Sequence, residues 1–432
     1  MVSMPEILSK LNQDGIAVLR NVRLPACVAP AGLPVVSDGL VACDITLAGG
    51  RLAKISPGSG GGFGGAMLWP CPIDAHTHID KGQVSNRSPN RDGTFTGAQQ
   101  AAARDRQNYP GLDDLRSRAG FALRSAFSHG TVALRSHVDT ADGFHDRFSV
   151  LCELAQDWTG RLDVQLAPFI GVEEPPERIA EIALIARHST SGVLSAFLYE
   201  CSGLPGFLDL VMSLADRHSL ALDFHADETL DPTSNCTRAV AQAVLRNRFA
   251  GAVLVGHCCS LSVQSPAELD RTLDLIAQAK LNIVSLPMCN TYLMSRQGCT
   301  PRLRGVAPVH EMRARGIKVV FATDNSRDGF HAYGDLDMPE LFRDAVRIMH
   351  LDHPVGDWPQ TVLNHAAEAI GRPALGQLRE GGPADFILFK ARNWNEFVAR
   401  PQSDRIVVRN GAPIQIPPPD FSELDGLEGM TA

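Results

Sequence analysis

Residues 67–78 read Met-Leu-Trp-Pro-Cys-Pro-Ile-Asp-Ala-His-Thr-His, an apolar run that leads into two histidines separated by one residue. The run itself, Met67–Ile73, has the length and composition of a buried β-strand. Seven similar runs follow, and they recur about every 30 residues, the length of one strand with its helix. These runs are Thr131–Val138, Leu162–Ile170, Gly192–Tyr199, Leu220–Phe224, Ala252–Gly256, Leu281–Leu286 and Ile317–Ala322.

Helical patterns lie between the runs. Ser265-Pro266 opens one of them, with proline in the first turn, and Pro339–His350 is another. Continuous apolar strands suit a parallel sheet that is covered on both faces. The eight units therefore predict an α/β fold, a (β/α)8 barrel of the TIM type. A doubly wound sheet is the alternative, but no GxGxxG or P-loop motif follows the first strand.

The two ends of the chain differ from the middle. Residues 16–70 are rich in glycine, proline and short strand-like runs, and two further runs, 384–389 and 405–411, lie near the C-terminus. We predict that residues 1–66 and 376–432 form a small β-sandwich domain and residues 67–375 the catalytic barrel domain. The end of the chain, from Pro417, is expected to be loose.

The segment from Ile79 to Pro110 lacks a clear apolar period. We expect a long loop after the first barrel strand, at the face of the barrel where active sites lie. Such a loop is either a lid over the site or a plain surface insertion, and the sequence leaves both alternatives open.

The composition excludes several classes of protein. The 432 residues are 44% hydrophobic and carry a formal net charge of −8, so no basic surface for nucleic acid is expected. The N-terminus lacks the pattern of a secretory signal, and no run of apolar residues is long enough for a membrane span. The ten cysteines include no CxxC pair, which favours free thiols in a reducing cytoplasm.

Residues with chemical potential follow several of the predicted strands. His76 and His78 are two apart, so they point to the same side of a strand. His225, His257 and Asp324 follow the fifth, sixth and eighth runs. In a barrel these strand ends meet at one mouth. Three of these four imidazoles, together with the carboxylate, suit one divalent ion such as Zn²⁺ or Fe²⁺.

A bound ion of this kind turns water into hydroxide near neutral pH. Hydrolysis then needs one group that takes the proton of the water and another that protonates the nitrogen of the substrate. Glu228 and Asp324 are the acids available for these steps, and His257 is placed to orient the hydroxide.

These motifs resemble the amidohydrolase superfamily, and within it the mononuclear cytosine deaminase-like group. HxH after the first strand, His-x-x-Glu after the fifth, His after the sixth and Asp after the eighth are all present, and the match covers nearly the whole chain. Residues 74–81, 286–290 and 323–328 have the same context. The metal ligands that the resemblance implies are His76, His78, His225 and Asp324.

The resemblance also implies the catalytic roles. Asp324 would take the proton of the water, Glu228 would carry it to a ring nitrogen, and His257 would hydrogen-bond the hydroxide or the tetrahedral oxygen. The expected reaction is attack of metal-bound hydroxide on an amino-bearing carbon of a small heterocyclic substrate: a cytosine-like pyrimidine, a purine, a pterin or a triazine. An alternative is hydrolysis of a cyclic amide or an N-alkylamino substituent, and a remote one is a non-catalytic binding protein on a barrel.

The sequence departs from cytosine deaminases at two places. No glutamine follows the third strand to read a pyrimidine edge, and Asn325 stands where a second aspartate would follow the metal ligand. The Asp-Asn-x-Arg-Asp form is similar to that of aminotriazine-ring amidohydrolases. The ring that is accepted therefore stays open. Candidate substrate contacts are Phe169, His137, Asn325 and Phe330, with a structural role as the alternative for His137.

No lysine occurs between Lys81 and Lys280. Binuclear members of the superfamily bridge two metals with a carbamylated lysine on the fourth strand, which here is Gly192–Glu200. Because that ligand is absent, we predict one metal ion per chain, although Glu200 is a possible bridge. Lys81 is within reach of the barrel mouth, with an exposed position as the default. Enzymes of this size are commonly homo-oligomers, and we expect one here.

Overall fold

The computed structural model describes residues 16–296 and 298–428. Within them the chain forms two compact units. The first, called the terminal unit, extends to Ile73 and includes Ser125–Val132 and Asp337–Pro418. The second, called the barrel unit, comprises Asp74–Arg124, Ala133–Leu336 and the residues from Pro419 onward. The predicted division into two domains, 1–66 with 376–432 and 67–375, stays a prediction.

The described residues contain three sheets. Their strands, in chain order, are β1 (Ala17–Pro25), β2 (Val35–Ser37), β3 (Leu40–Ala48), β4 (Arg51–Pro57), β5 (Leu68–Pro70), β6 (Ile73–Thr77), β7 (Ala133–Asp139), β8 (Asp163–Gly171), β9 (Val193–Phe197), β10 (Ala221–Ala226), β11 (Val253–His257), β12 (Asn282–Ser285), β13 (Val319–Phe321), β14 (Phe386–Leu388), β15 (Ile406–Arg409) and β16 (Ala412–Pro413).

Helices connect most of these strands. The α-helices are α1 (Phe95–Asn108), α2 (Leu112–Ser128), α3 (Phe144–Asp157), α4 (Pro176–His188), α5 (Leu204–His218), α6 (Cys236–Asn247), α7 (Pro266–Gln278), α8 (Pro287–Leu293), α9 (Val309–Ala314), α10 (Met338–Met349), α11 (Asn364–Ala369), α12 (Trp394–Ala399) and α13 (Asp425–Glu428). Short 3-10 helices cover Ala26–Val28, Cys259–Val263, Trp358–Val362 and Phe421–Leu424.

The terminal unit contains two antiparallel sheets built from both ends of the chain. One has the order β1-β3-β2 with β4 paired to β3, and the other has the order β16-β15-β14-β5. Side chains from both sheets, such as Leu24, Ile45, Phe386 and Val408, are buried in one apolar cluster. This arrangement confirms the predicted small β-sandwich.

The barrel unit contains eight strands in the sequential order β6 to β13, and the recorded pairings are parallel. The sheet nearly closes, because Thr77 forms a parallel bridge with Asp324 and the amide of Asp324 donates to the carbonyl of His76 at 2.9 Å. The sequential order and the helices between the strands confirm the TIM-type barrel and exclude the doubly wound sheet.

The first apolar run, Met67–Ile73, does not form a single strand. Leu68–Pro70 pairs with β14 in the sandwich, and the first barrel strand begins at Ile73. Proline has no amide proton for a ladder, so Pro70 and Pro72 separate the two strands. As a consequence His76 lies within the first barrel strand, Ile73–Thr77, whereas the sequence places it after that strand.

Two segments expected to be irregular contain helices. Residues 79–110 include α1, whose first turn is capped by the side chain of Thr94, which accepts from the amide of Gly97. Near the C-terminus, Asp420 and Glu423 form a capping box, and the ring of Phe421 stacks on that of Phe121 with centroids 5.8 Å apart. The prediction of a loose terminus is therefore wrong for these residues.

In the part of the chain that the structure describes, no helix combines the length and the hydropathy that a membrane crossing requires.

Candidate active site

Three imidazoles meet a carboxylate at the carboxyl end of the barrel strands. The Nε2 atom of His225 lies 3.0 Å from Nε2 of His76 and 3.1 Å from Nε2 of His78. Oδ1 of Asp324 lies 3.5 Å from Nε2 of His76 and 3.4 Å from Nε2 of His78. All four side chains are buried. The structure thus brings together the whole predicted ligand set.

These four residues fit a divalent metal ion. Both carboxylate oxygens of Asp324 are buried and have no hydrogen-bond donor among the described residues. A buried carboxylate in that state is costly unless a cation compensates it. Burial and the neighbouring imidazoles lower the pKa of His225 well below its ordinary value, so the ring is neutral. Neutral imidazoles with a carboxylate are the donors that zinc and iron prefer.

The ionised state of Asp324 follows from its contacts. Burial opposes ionisation, but the imidazoles of His76 and His78, which lie 3.5 and 3.4 Å from Oδ1, outweigh it, and the pKa of Asp324 lies well below its ordinary value. The residue also has a φ of 63°, in the left-handed region that is costly for a side chain. Backbone strain of this kind is typical of functional sites, where surrounding structure holds it in place.

His137 lies behind the ligand set. Its Nε2 atom is 3.2 Å from Nδ1 of His76 and 3.9 Å from Oδ2 of Asp223. Asp223 in turn accepts a hydrogen bond of 2.9 Å from Arg135. His137 therefore contacts a predicted metal ligand on the side away from the cavity, and its predicted contact with substrate stays a prediction.

Glu228 and His257 lie beside the ligand set. Oε1 of Glu228 is 3.4 Å from Nδ1 of His257, and Nδ2 of Asn290 is 3.0 Å from the same nitrogen. Burial and the charge of Asp324 raise the pKa of Glu228 well above its ordinary value. Burial lowers the pKa of His257 to about 3. Near neutral pH the site therefore holds a protonated glutamic acid and a neutral imidazole.

A cavity of about 330 Å³ opens above these residues. Four phenylalanines line it: Phe95, Phe169, Phe197 and Phe330. The rings of Phe95 and Phe197 are stacked with centroids 5.9 Å apart, and Phe330 meets Phe95 edge-on at 5.7 Å. Asn325 also lines the cavity, and its amide donates to Asp328 at 2.6 Å. The volume and the aromatic walls suit a small planar molecule.

Lys81 lies in the wall of this cavity, so the default expectation of an exposed lysine is wrong. Its Nζ atom is 3.1 Å from Oδ1 of Asp139 and lies over the rings of Phe169 and Phe330, at 5.6 and 5.2 Å from their centroids. Burial lowers the pKa of Lys81, but Asp139 and other carboxylates outweigh it and the net shift is upward. The lysine is therefore charged.

Several other residues of the site were missed by the sequence reasoning. Gln99 and Arg106 line the cavity from α1, and Phe95 and Phe197 supply two of its aromatic walls. The contribution of Phe95, Gln99 and Arg106 depends on how α1 lies against the strand ends, which no local pattern shows, whereas Phe197 lies at the end of β9. A signal did exist for Asn290, because it closes the Leu-Pro-Met-Cys-Asn motif after the seventh strand.

Comparisons with known proteins agree with this fold. A family model described as the amidohydrolase family matches residues 190–415. The chain is 40% identical to a pterin deaminase from Rhizobium rhizogenes strain K84, over 95% of this chain and 97% of that protein. These two matches establish the family.

Two solved structures share the fold. A 5-methylcytosine deaminase from Klebsiella pneumoniae, liganded with 5-fluorocytosine, has a TM-score of 0.79 and 22% identity, covering 92% of this chain and 97% of that one. The N-isopropylammelide isopropylaminohydrolase from Burkholderia multivorans has a TM-score of 0.72 and 21% identity, covering 93% of this chain and 98% of that one.

The chain belongs to the amidohydrolase family. It is a hydrolase of carbon–nitrogen bonds other than peptide bonds, and the predicted resemblance to the cytosine deaminase-like group is confirmed. The cluster of histidines and aspartate agrees with the metal use that is typical of this family.

Proposed function

We propose that this protein is a metal-dependent hydrolytic deaminase of a small N-heterocycle and that a pterin is the first substrate to test. The observation that carries the proposal is the position of Glu228. Its buried, protonated side chain lies between His257 and Asp324 at the floor of a cavity with aromatic walls. The 40% identity to a pterin deaminase supports the choice of ring.

The proposed metal ligands are the three imidazoles and the carboxylate that meet at the strand ends: His76, His78, His225 and Asp324. One ion per chain, Zn²⁺ or Fe²⁺, suits this donor set. When bound, the ion supplies Lewis-acid activation of the attacking water. The remaining steps belong to side chains of the protein.

Three side chains divide the proton transfers. Asp324, ionised and without a donor, is placed to accept a proton from the water. Glu228, protonated, is placed to give its proton to the ring nitrogen beside the amino-bearing carbon. We assign the ring proton of His257 to Nε2, because the amide nitrogen of Asn290 faces Nδ1 at 3.0 Å. Nε2 then donates to the oxygen that adds to that carbon. The amino group then takes the proton that Asp324 accepted and leaves as ammonia. The hydroxyl on the carbon returns a proton to Glu228 as the carbonyl forms, so both acids regain their starting states.

The cavity walls support a planar substrate. Phe169 and Phe330 offer ring faces, and Lys81 lies between them as a charged donor for a carbonyl oxygen or ring nitrogen. Asn325 adds a polar side chain at the same wall. This set takes the place of the glutamine that the sequence lacks. A cytoplasmic location and a homo-oligomer also stay predictions.

The test is ammonia release from a panel of pterin, cytosine, an aminopurine and an aminotriazine, with Glu228→Gln as the matched variant. We expect release from pterin, and a loss of about 100-fold or more in the variant with its metal content unchanged. The mass of the product shows the exchange of an amino group for oxygen. Release of an alkylamine from an N-alkylated ring, with no ammonia from any member of the panel, would overturn the proposal.

A further inference from the structure

A buried thiol lies beside the two acids of the candidate active site. Cys289 belongs to α8, and its Sγ atom, a carboxylate oxygen of Glu228 and one of Asp324 lie within 4.8 Å of one another. The cysteine is fully buried and is not involved in the proposed deamination. Its thiol also makes long contacts with the carbonyl of Phe330, at 3.7 Å, and with Oδ1 of Asn325, at 3.9 Å.

The carboxylate of Asp324 has capacity for a second cation. Its Oδ1 atom faces Nε2 of His76 and of His78. Its Oδ2 atom is also buried, with no hydrogen-bond donor in the described part of the chain. A carboxylate can bridge two ions through its two oxygens, and metal pairs in enzymes lie about 3.5–4 Å apart.

We propose that Glu228, Cys289 and Asp324 form a second, inhibitory metal site, which takes a thiophilic ion such as Zn²⁺ when that ion is in excess. The thiol gives up its proton to solvent when it coordinates, and thiolate selects zinc over the harder Mn²⁺. An ion held by Glu228 removes that side chain as a proton donor. Deamination then loses the contribution of its general acid although the first ligand set is filled.

The inhibitory effect rests on the proposed function, but the binding does not. The direct test therefore titrates the metal-free protein with Co²⁺ and records the absorption spectrum. The first equivalent enters a site of nitrogen and oxygen donors and gives no thiolate band. We expect the second equivalent to give a thiolate-to-cobalt charge-transfer band in the near ultraviolet. A second equivalent that binds without this band overturns the proposal, as does a protein that binds one equivalent only.

Variants then identify the thiol. Cys289→Ser should bind the first equivalent of zinc and lose the second, whereas Cys43→Ser, which removes an equally buried thiol in the sandwich, should bind both. If the zinc-loaded protein deaminates a pterin, excess zinc should lower the wild-type rate by about 100-fold, the contribution of a general acid, and leave the Cys289→Ser rate unchanged. Excess Mn²⁺ should inhibit neither.

The outcomes separate the two proposals. If the second equivalent of Co²⁺ gives the thiolate band in a protein that deaminates none of the rings tested, that result supports the second metal site and contradicts the proposed substrate class. If excess zinc does not inhibit deamination and the thiolate band is missing, the second metal site is contradicted. The proposed deaminase activity is not affected by that result. Retention of the second equivalent by Cys289→Ser contradicts the role of the thiol.

Discussion

At the scale of single residues, the proposed role of His257 depends on Asn290, whose amide faces Nδ1 of that ring. Nδ2 of Asn290 lies 3.0 Å from Nδ1, which would hold the ring proton on Nε2, and Nε2 is buried with no hydrogen-bond partner among the described residues. A histidine in the wrong tautomer presents a lone pair where a donor is needed. Asn290 does not line the cavity, so we regard it as a positioning residue.

Replacing Asn290 by alanine should therefore lower kcat by about 10- to 100-fold and leave KM nearly unchanged. The measurement is steady-state deamination together with the metal content of the variant. Asn247→Ala, which removes a surface amide of α6, serves as control. A variant that lost its metal, or one in which KM alone rose, would show that Asn290 acts in another way.

At the scale of secondary-structure elements, a buried ion pair joins three barrel strands beneath the ligand set. Arg135 on β7 donates to Asp223 on β10 at 2.9 Å and to Gln165 on β8 at 3.0 and 3.1 Å. The side chains of Arg135 and Asp223 are 3% and 0% exposed. Removing one partner leaves the other charge buried without compensation, which is the costly case for an ion pair.

Arg135→Met should lower the free energy of unfolding by about 3–5 kcal/mol, measured by urea denaturation. Asp223 also lies 3.9 Å from His137, which contacts His76, so metal affinity should fall as well. Arg246→Met is the matched control, because its pair with Asp209 is about half exposed and should contribute about 1 kcal/mol or less. If the two variants lost the same free energy of unfolding, burial would not explain the contribution of the Arg135–Asp223 pair.

The barrel strands and the residues that follow them show which features can be predicted from the sequence. The barrel follows from apolar runs at regular spacing, and the ligand set follows from histidines and acids at the ends of those runs, because both signals are local. The separation of Leu68–Pro70 from Ile73–Thr77 depends on pairing with β14, more than 300 residues later along the chain. The position of Lys81 depends on Asp139, which lies 58 residues away. Such long-range contacts leave no local pattern.

At the scale of the whole molecule, the ligand set joins distant parts of the chain within the barrel unit. His76 and His225 are 149 residues apart in sequence, and Asp324 follows the last barrel strand. The first strand and this last ligand are also linked directly, through the amide of Asp324 and the carbonyl of His76. A bound ion would therefore connect the two edges at which the sheet nearly closes.

Metal binding should for this reason stabilise the folded barrel. An ion that binds the native state alone adds about 4 kcal/mol when its free concentration is about a thousand times Kd. Treatment with a chelator should lower Tm by several degrees, and one equivalent of zinc should restore it, as followed by calorimetry. His225→Ala, which lacks a ligand from the middle of the barrel, should unfold at the same temperature with and without zinc. A wild-type Tm that does not respond to the chelator, in protein shown to have lost its metal, would mean that the four side chains are held in place by the barrel alone.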